Sequence, residues 1–365
     1  MITTGDIAAA IEAFAPLALQ ESYDNAGLQV GDASAEAKAA LLCTDVTEEI
    51  LDEAIARGAN MVISHHPLIF RGLKRLTGRT PIERIVAKAI KHDVALYAAH
   101  TNIDSVSQGV SAHAAAKLGL TDVEILAPHR SKLLKIVVFV PTAHAMAVKE
   151  AMWAAGAGHI GNYDSCSYSM TGTGTFRAQS GAKPYVGTEG ELHSEPEERV
   201  EVIVPSWRKE AVLGAMLRVH PYEEPAYDVL ALENDAPWGF GVVGNIPATT
   251  AMEFLARVKA TFCQIGAMSY SGSDLTQQVT RVAFCGGSGA ELIGDAIAAG
   301  AQVYVTGDVK YHDFTSHNHR IIIANIGHYE SEQFTKEIFF DVIRKKFPNF
   351  AAYYSEKERN QINYL

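Results

Sequence analysis

Three apolar residues, Met61, Val62 and Ile63, run through Ser64 into two adjacent histidines and a proline. An apolar run closed by a turn residue reads as a buried strand. His65 and His66 then sit at the strand's end, where an α/β sheet places its sites. Neighbours on an extended chain face opposite ways. Two such histidines do not ordinarily serve one ion, but at a bent strand end they can serve two ions side by side.

The surrounding pattern fits a sheet of this kind. Residues 7–14 read as a helix that Thr3, Thr4 or Asp6 can cap, and Asp24-Asn25 before Gly27 is turn chemistry. A strand is expected over 40–43, then a helix over 48–57 with Ile50, Leu51, Ala54 and Ile55 on one face. Gly58 ends that helix. Pro81 opens a helix over 81–91, and the buried run 94–99 delivers His100 and Asp104. Strand and helix alternate throughout, the α/β signature. From residue 135 the order becomes strand (136–140), helix (144–155), strand (165–177), polar loop (179–198), strand (199–205), helix (209–219), strand (226–232). That is βαββαβ, the ferredoxin-like order. The alternation resumes after Trp238, with strands over 282–285, 302–306 and 321–326, helices over 252–261 and 290–299, and a last helix from about Gln333. The expected fold class is therefore α/β. Two related α/β lobes, 1–129 and 237–365, form one domain, interrupted by a ferredoxin-like insert over 130–236.

The outer segments echo each other. Ala54 to Ala59 matches Ala296 to Ala301 at an offset that also pairs Cys43 with Cys285 and His65-His66 with Gly307-Asp308. A strand ending in His100 and Asp104 is echoed by one ending in His328 and Glu332. Repeats of this kind set an architecture. They make the strand ends topological equivalents, so their polar groups can converge.

The converging set is His65, His66, Asp104, His328 and Glu332, with His100, Asp308 and His312 nearby. Imidazole and carboxylate suit zinc, iron, manganese or nickel better than calcium. Three histidines and two carboxylates exceed what one catalytic zinc takes, and they suit two ions bridged by a carboxylate or water. Each residue also has a plainer reading. Asp104 can cap a helix over 105–118, and Glu332 can be a first-turn glutamate. His100 can orient a ligand or touch substrate, and His312 can act as acid or base. Gly286-Gly287-Ser288-Gly289 reads as a tight βα turn whose N–H groups could alternatively hold an anion. It lacks the lysine of a P-loop.

With 31 Lys and Arg against 42 Asp and Glu, the net charge is −11. That argues against a broad nucleic-acid-binding face. There is no signal-peptide pattern and no apolar run of membrane-spanning length. The 4 cysteines form no C-x-x-C pair, so a reducing, cytoplasmic location is expected.

Ser-His-His-Pro (64–67), Ala-His-Thr-Asn-x-Asp (99–104), Thr-Gly-Asp-x-Lys-Tyr-His (306–312) and Gly-His-x-x-x-Glu (327–332) resemble the NIF3 family of dinuclear-metal proteins. Many members are catalogued as GTP cyclohydrolase 1 type 2 homologues. Residues 24–31 are similar to the family's N-terminal signature. The resemblance implies metal ligands at His65, His66, Asp104, His328 and Glu332, holding two divalent ions per chain (Zn, Fe or Mn). It implies a PII/CutA-like insert, on Thr171 to Phe176 and His220 to Pro225, and a toroidal homohexamer. The expected function is a metal-dependent hydrolase acting on a nucleotide or another small molecule, with His100 or His312 moving protons. The alternative is a metal-binding regulatory or scaffold protein whose insert senses a ligand.

Overall fold

The computed structural model describes residues 1–263, 267–272, 274–317 and 319–363. The chain divides into two compact units: Met1–Pro128 with Trp238–Leu365, and His129–Pro237.

In chain order the first unit begins with α1 (Thr4–Phe14), β1 (Gly27–Val30), β2 (Ala39–Cys43), α2 (Glu48–Ala56) and β3 (Met61–Ser64). There follow α3 (Pro81–Lys91), β4 (Ala95–Ala98), α4 (Thr101–Asp104), α5 (Val110–Lys117) and β5 (Thr121–Pro128). The second unit contributes β6 (Leu133–Pro141), α6 (Ala145–Ala154), β7 (Tyr168–Arg177), β8 (Leu192–Pro205), α7 (Lys209–Val219) and β9 (Tyr227–Leu232). The first unit resumes with β10 (Gly239–Thr250), α8 (Ala251–Phe262), β11 (Ser269–Tyr270), β12 (Gln278–Ser288), α9 (Ile293–Ala298) and β13 (Val303–Gly307). It closes with α10 (Tyr311–Ser316), β14 (Ile322–Asn325), α11 (His328–Glu332), α12 (Thr335–Lys346) and β15 (Ala351–Tyr354).

The first unit carries a five-stranded sheet, β1-β4-β3-β2-β15, and a six-stranded sheet, β11-β14-β13-β12-β10-β5. In each, three neighbouring strands run parallel: β2, β3 and β4 in one, β12, β13 and β14 in the other. A short strand lies antiparallel beside β4 in one and beside β14 in the other. Parallel strands covered on both faces are apolar throughout, and every residue of β2, β3 and β4 is buried. Helices cover them because their sequences dictate one greasy stripe. In α2, Thr47 caps the start by accepting from Ile50 N–H, Glu48 and Glu49 face the positive helix end, and Ile50, Leu51 and Ala54 turn inward. In α3, Thr80 caps and Pro81 opens, with Ile85, Val86 and Ala89 buried. These side chains join Leu41, Val62 and Leu96 in one core.

The second unit runs strand, helix, strand, strand, helix, strand, and its four strands form the sheet β7-β8-β6-β9. Val148, Met152, Val212 and Met216 of α6 and α7 pack on Ile136, Val138, Val200 and Val202 of one sheet face.

Four expectations need correction. The polar loop expected over 179–198 ends early, because residues 192–198 belong to β8 and pair with β7 from Thr171 to Arg177. Glutamates and a proline on a half-exposed strand carry no apolar alternation to announce it. No helix spans 105–118: α4 ends at Asp104, and α5 begins after Gly109. Asp104 therefore closes a short helix and caps none. Glu332 likewise closes α11, and α12 starts at Thr335, beyond Gln333.

Candidate metal centre

β3 does not simply stop. His65 N–H donates to the Cys43 carbonyl at 3.2 Å and His66 N–H to the Thr44 carbonyl at 2.9 Å, so β2 holds both histidines as the strand turns out. Each ring is then fixed by its Nδ1. His65 Nδ1 lies 2.9 Å from the Ala99 carbonyl, which can only accept, so this nitrogen carries the proton and Nε2 is left as a ligand atom. His66 Nδ1 lies 2.8 Å from Asp45, and His328 Nδ1 lies 2.7 Å from Asp308. Carbonyl or carboxylate behind a ligating imidazole is the usual support of a metal site. All three rings present Nε2.

Those nitrogens meet Glu332, which is only 3% exposed. Its Oε1 lies 3.4 Å from His65 Nε2. Its Oε2 lies 3.0 Å from His66 Nε2 and 3.2 Å from His328 Nε2. The two Nε2 atoms of His66 and His328 are themselves 3.2 Å apart. Asp104 Oδ1 sits 3.7 Å from His65 Nε2. Both of these last atoms are buried and lack a hydrogen-bond partner among the described residues. Leaving buried polar atoms unpaired is costly. Around a tetrahedral ion with ligand bonds of about 2.0–2.1 Å, ligand atoms stand roughly 3.4 Å apart, which is the spacing found here. Ligand atoms of His65, His66 and Glu332 all lie within 4.8 Å of one another. The donor set fits divalent ions.

The electrostatics are those of a site that needs positive charge. Burial opposes ionisation of Glu332, but His65, His328 and His66 outweigh it and hold the carboxyl well below its usual range. Burial lifts Asp104 to about 6 against the pull of His65. Burial disfavours a charged His66, yet Asp45 and Glu332 push it up to about 10. His328 rises to about 9 against burial, through Glu332 and Asp308.

His100 belongs to the same patch. Its ring centroid is 5.4 Å from that of His65 and 5.5 Å from that of His66. Its Nδ1 lies 2.8 Å from Asp24. Asp24 also accepts from Thr101 N–H at 3.0 Å and bonds the Thr101 hydroxyl. His312 is not brought in: it lies exposed on α10 against Tyr311, and no hydrogen bond, ion pair or ring contact among the described residues joins it to the cluster.

The glycine run at the end of β12 serves a different purpose from anion binding. Hydroxyls take its N–H groups: Ser111 that of Gly286, Ser331 that of Gly287, Thr306 that of Gly289. Gly287 has φ +63, and a Cβ there would lie 2.3 Å from Glu332 Oε1. The glycine makes room for the carboxylate. Sequence reasoning missed this, and it missed Asp45. The signal for Asp45 was its place just past β2, whose end opens on the same edge as that of β3.

The profile of the family described as Duf34/NIF3 (NGG1p interacting factor 3) matches residues 2–361. A protein of Halalkalibacterium halodurans named GTP cyclohydrolase 1 type 2 homolog is 43% identical over 304 residues, 82% of this chain and 81% of that protein. A Bacillus subtilis protein of the same name is 38% identical over 364 residues, 97% and 96% of the two chains. The solved structure of a Bacillus cereus protein related to NIF3 superposes with a TM-score of 0.84 at 37% identity, covering 100% of both chains. Among the described residues no helix is long and apolar enough to cross a membrane.

Proposed function

The chain belongs to the Duf34/NIF3 family, and from that premise we propose that it is a dinuclear metal protein that hydrolyses a nucleotide or another phosphate- or amide-bearing small molecule. One observation carries the reading. The two oxygens of Glu332 face different partners, Oε1 toward His65 and Oε2 toward His66 and His328. Asp104 completes the first group. On this reading Glu332 would be shared by both groups, with His65 and Asp104 holding one ion of the Zn, Fe or Mn class and His66 and His328 holding the other.

Two divalent ions held this way supply Lewis acidity and activate water at neutral pH. The chain's own residues do the rest. Ala99, Asp45 and Asp308 orient the imidazoles. His100, held through Nδ1 by Asp24, keeps Nε2 for proton transfer beside the cluster. His312 touches no member of the cluster among the described residues, so a role for it would need a substrate that extends to α10. The family resemblance implies a ring of six chains, which sedimentation at six times the chain mass would support.

The shared order of the three central strands in both sheets supports related lobes. The sheet order β7-β8-β6-β9 supports a ferredoxin-like insert. The four free cysteines support a reducing compartment.

The test is metal content followed by turnover. Protein loaded with zinc, iron or manganese should hold two ions per chain and hydrolyse at least one member of a panel of nucleotides, phosphoesters and cyclic amides. Two ions with no turnover of any member would turn the reading toward a metal-binding regulator, which the cavity in the unit His129–Pro237 favours. Fewer than two ions would overturn the dinuclear centre.

A further inference from the structure

The unit His129–Pro237 carries a half-open cavity of about 580 Å³ that the metal chemistry does not use. That volume suits a small ligand. Its floor is the sheet face opposite α6 and α7. Along β7, Gly172 and Gly174 share that face by strand alternation, and Glu197 of β8 stands across from Gly172. The two glycines do different work. A Cβ on Gly174 would lie 2.2 Å from Glu197 Oε2, so this glycine lets the carboxylate lie down on the strand. A Cβ on Gly172 would meet nothing within 4 Å, so the floor is open there.

Glu197 is 8% exposed, a buried acid lining the cavity. The Tyr222 hydroxyl donates to its Oε1 at 2.8 Å. One such donor leaves most of a carboxylate's accepting capacity for a ligand. The wall beside it is aromatic: the Tyr222 ring lies 5.9 Å from Phe176 and 6.3 Å from Tyr185. Glu223 and Glu224 add negative charge to the lining. Among the described residues the one cation lining it, Arg199, is already bonded to Glu201 at 2.9 Å. Ring faces attract cations, and a buried carboxylate favours a charged donor over a neutral one.

We propose that this cavity binds a small organic cation, an amine, amidine or protonated nitrogen heterocycle. Its charged N–H group meets Glu197, and its body lies on Tyr222, Phe176 and Tyr185. This site lies outside the metal cluster, and its existence does not depend on the hydrolase reading.

The test uses the full chain and three isosteric probes: benzamidine (cation), benzamide (neutral) and benzoate (anion), titrated by ligand-observed NMR and calorimetry. Benzamidine should bind at least about tenfold more tightly than benzamide, with benzoate weakest. Glu197→Gln keeps an acceptor for Tyr222 and should erase the preference for the cation. Gly172→Leu should fill the open floor and abolish binding of all three, with an unchanged melting temperature showing that the fold is kept. Glu332→Gln should leave benzamidine binding unaltered. Equal binding of benzamidine and benzamide, wild-type binding by Gly172→Leu, or no benzamidine binding at millimolar concentration would each overturn the proposal.

Discussion

The two sheets of the first unit share a strand order but supply different things to the cluster. At the ends of β3 and β4 the five-stranded sheet gives His65, His66 and Asp104, all ligand candidates. The corresponding end of β13 in the six-stranded sheet gives Gly307 and Asp308, and Asp308 only steadies His328. The end of β12 gives Gly287, whose contribution is the absence of a side chain. Only after β14 does the second sheet present ligand candidates of its own, His328 and Glu332. Equivalent topology therefore fixes where polar groups gather and leaves open which position ligates, which steadies and which makes way.

The division of labour can be broken first at Glu332. Glu332→Gln should remove both ions, with metal per chain falling from two toward zero at concentrations that saturate the wild type. A loss of at least about 100-fold in affinity is expected, above the range seen when a mere supporting group is lost. Retention of one ion would show that Glu332 does not bridge.

Gly287→Ala comes next. The added methyl meets Glu332 Oε1, and the backbone is left-handed. Metal affinity should fall about 10–100-fold, with a stability cost of about 1–3 kcal/mol. Gly58→Ala is the comparison: φ is +70, yet nothing lies within 4 Å of the added methyl. It should cost about 1 kcal/mol and leave metal content intact.

Single-sided changes sharpen the contrast. Asp104→Asn should cost the ion beside His65, and His328→Ala the ion beside His66, each leaving about one ion per chain by elemental analysis. Behind them, Asp45→Asn and Asp308→Asn should each weaken binding about tenfold without changing the count at saturation.

The smallest effect is expected at Asp24. Burial opposes its charge, but bonds from His100 and Thr101 hold its carboxyl at about 2. A depressed carboxyl stabilises the fold above its unfolded value near 3.8 and loses that contribution as pH falls toward 2. Asp24→Asn should therefore remove about 1–2 kcal/mol at neutral pH, after allowance for screening, and flatten the acid limb of a denaturation profile between about pH 4 and 2. Metal content should be unchanged while turnover falls, because His100 loses its orienting partner.

Much of this was readable from the chain. The candidate ligand residues stand at the ends of apolar runs, where strand periodicity stops and chemistry begins, and the motifs flanking them are specific. What escaped was whatever depends on a neighbour distant in sequence. Asp45 reads as an ordinary residue between a strand and a helix until His66 is placed beside it. Gly287 reads as turn chemistry until Glu332 is placed over it. Strand β5 went unread because its first residues, from Thr121 to Glu124, are exposed on an edge and all polar but Val123. The first half of β8 failed because it is polar and half-exposed, although β8 lies between β7 and β6. The cavity of the second unit was illegible because alternating threonine and glycine announce a strand without revealing which side is empty.

One pairing bears on how such a chain comes to be folded at all. β15 zips in parallel onto β2, and Glu358 just beyond it accepts from the Thr44 N–H across 314 positions of sequence. Until that late segment is synthesised, the outer edge of β2 has no neighbour, and bare strand edges invite foreign strands. Closure over so long a loop is also slow. The nascent chain therefore passes through a stage in which the histidine-bearing sheet is present but unsealed. Sensitivity to chaperone supply during biosynthesis should greatly exceed any fragility of the finished molecule.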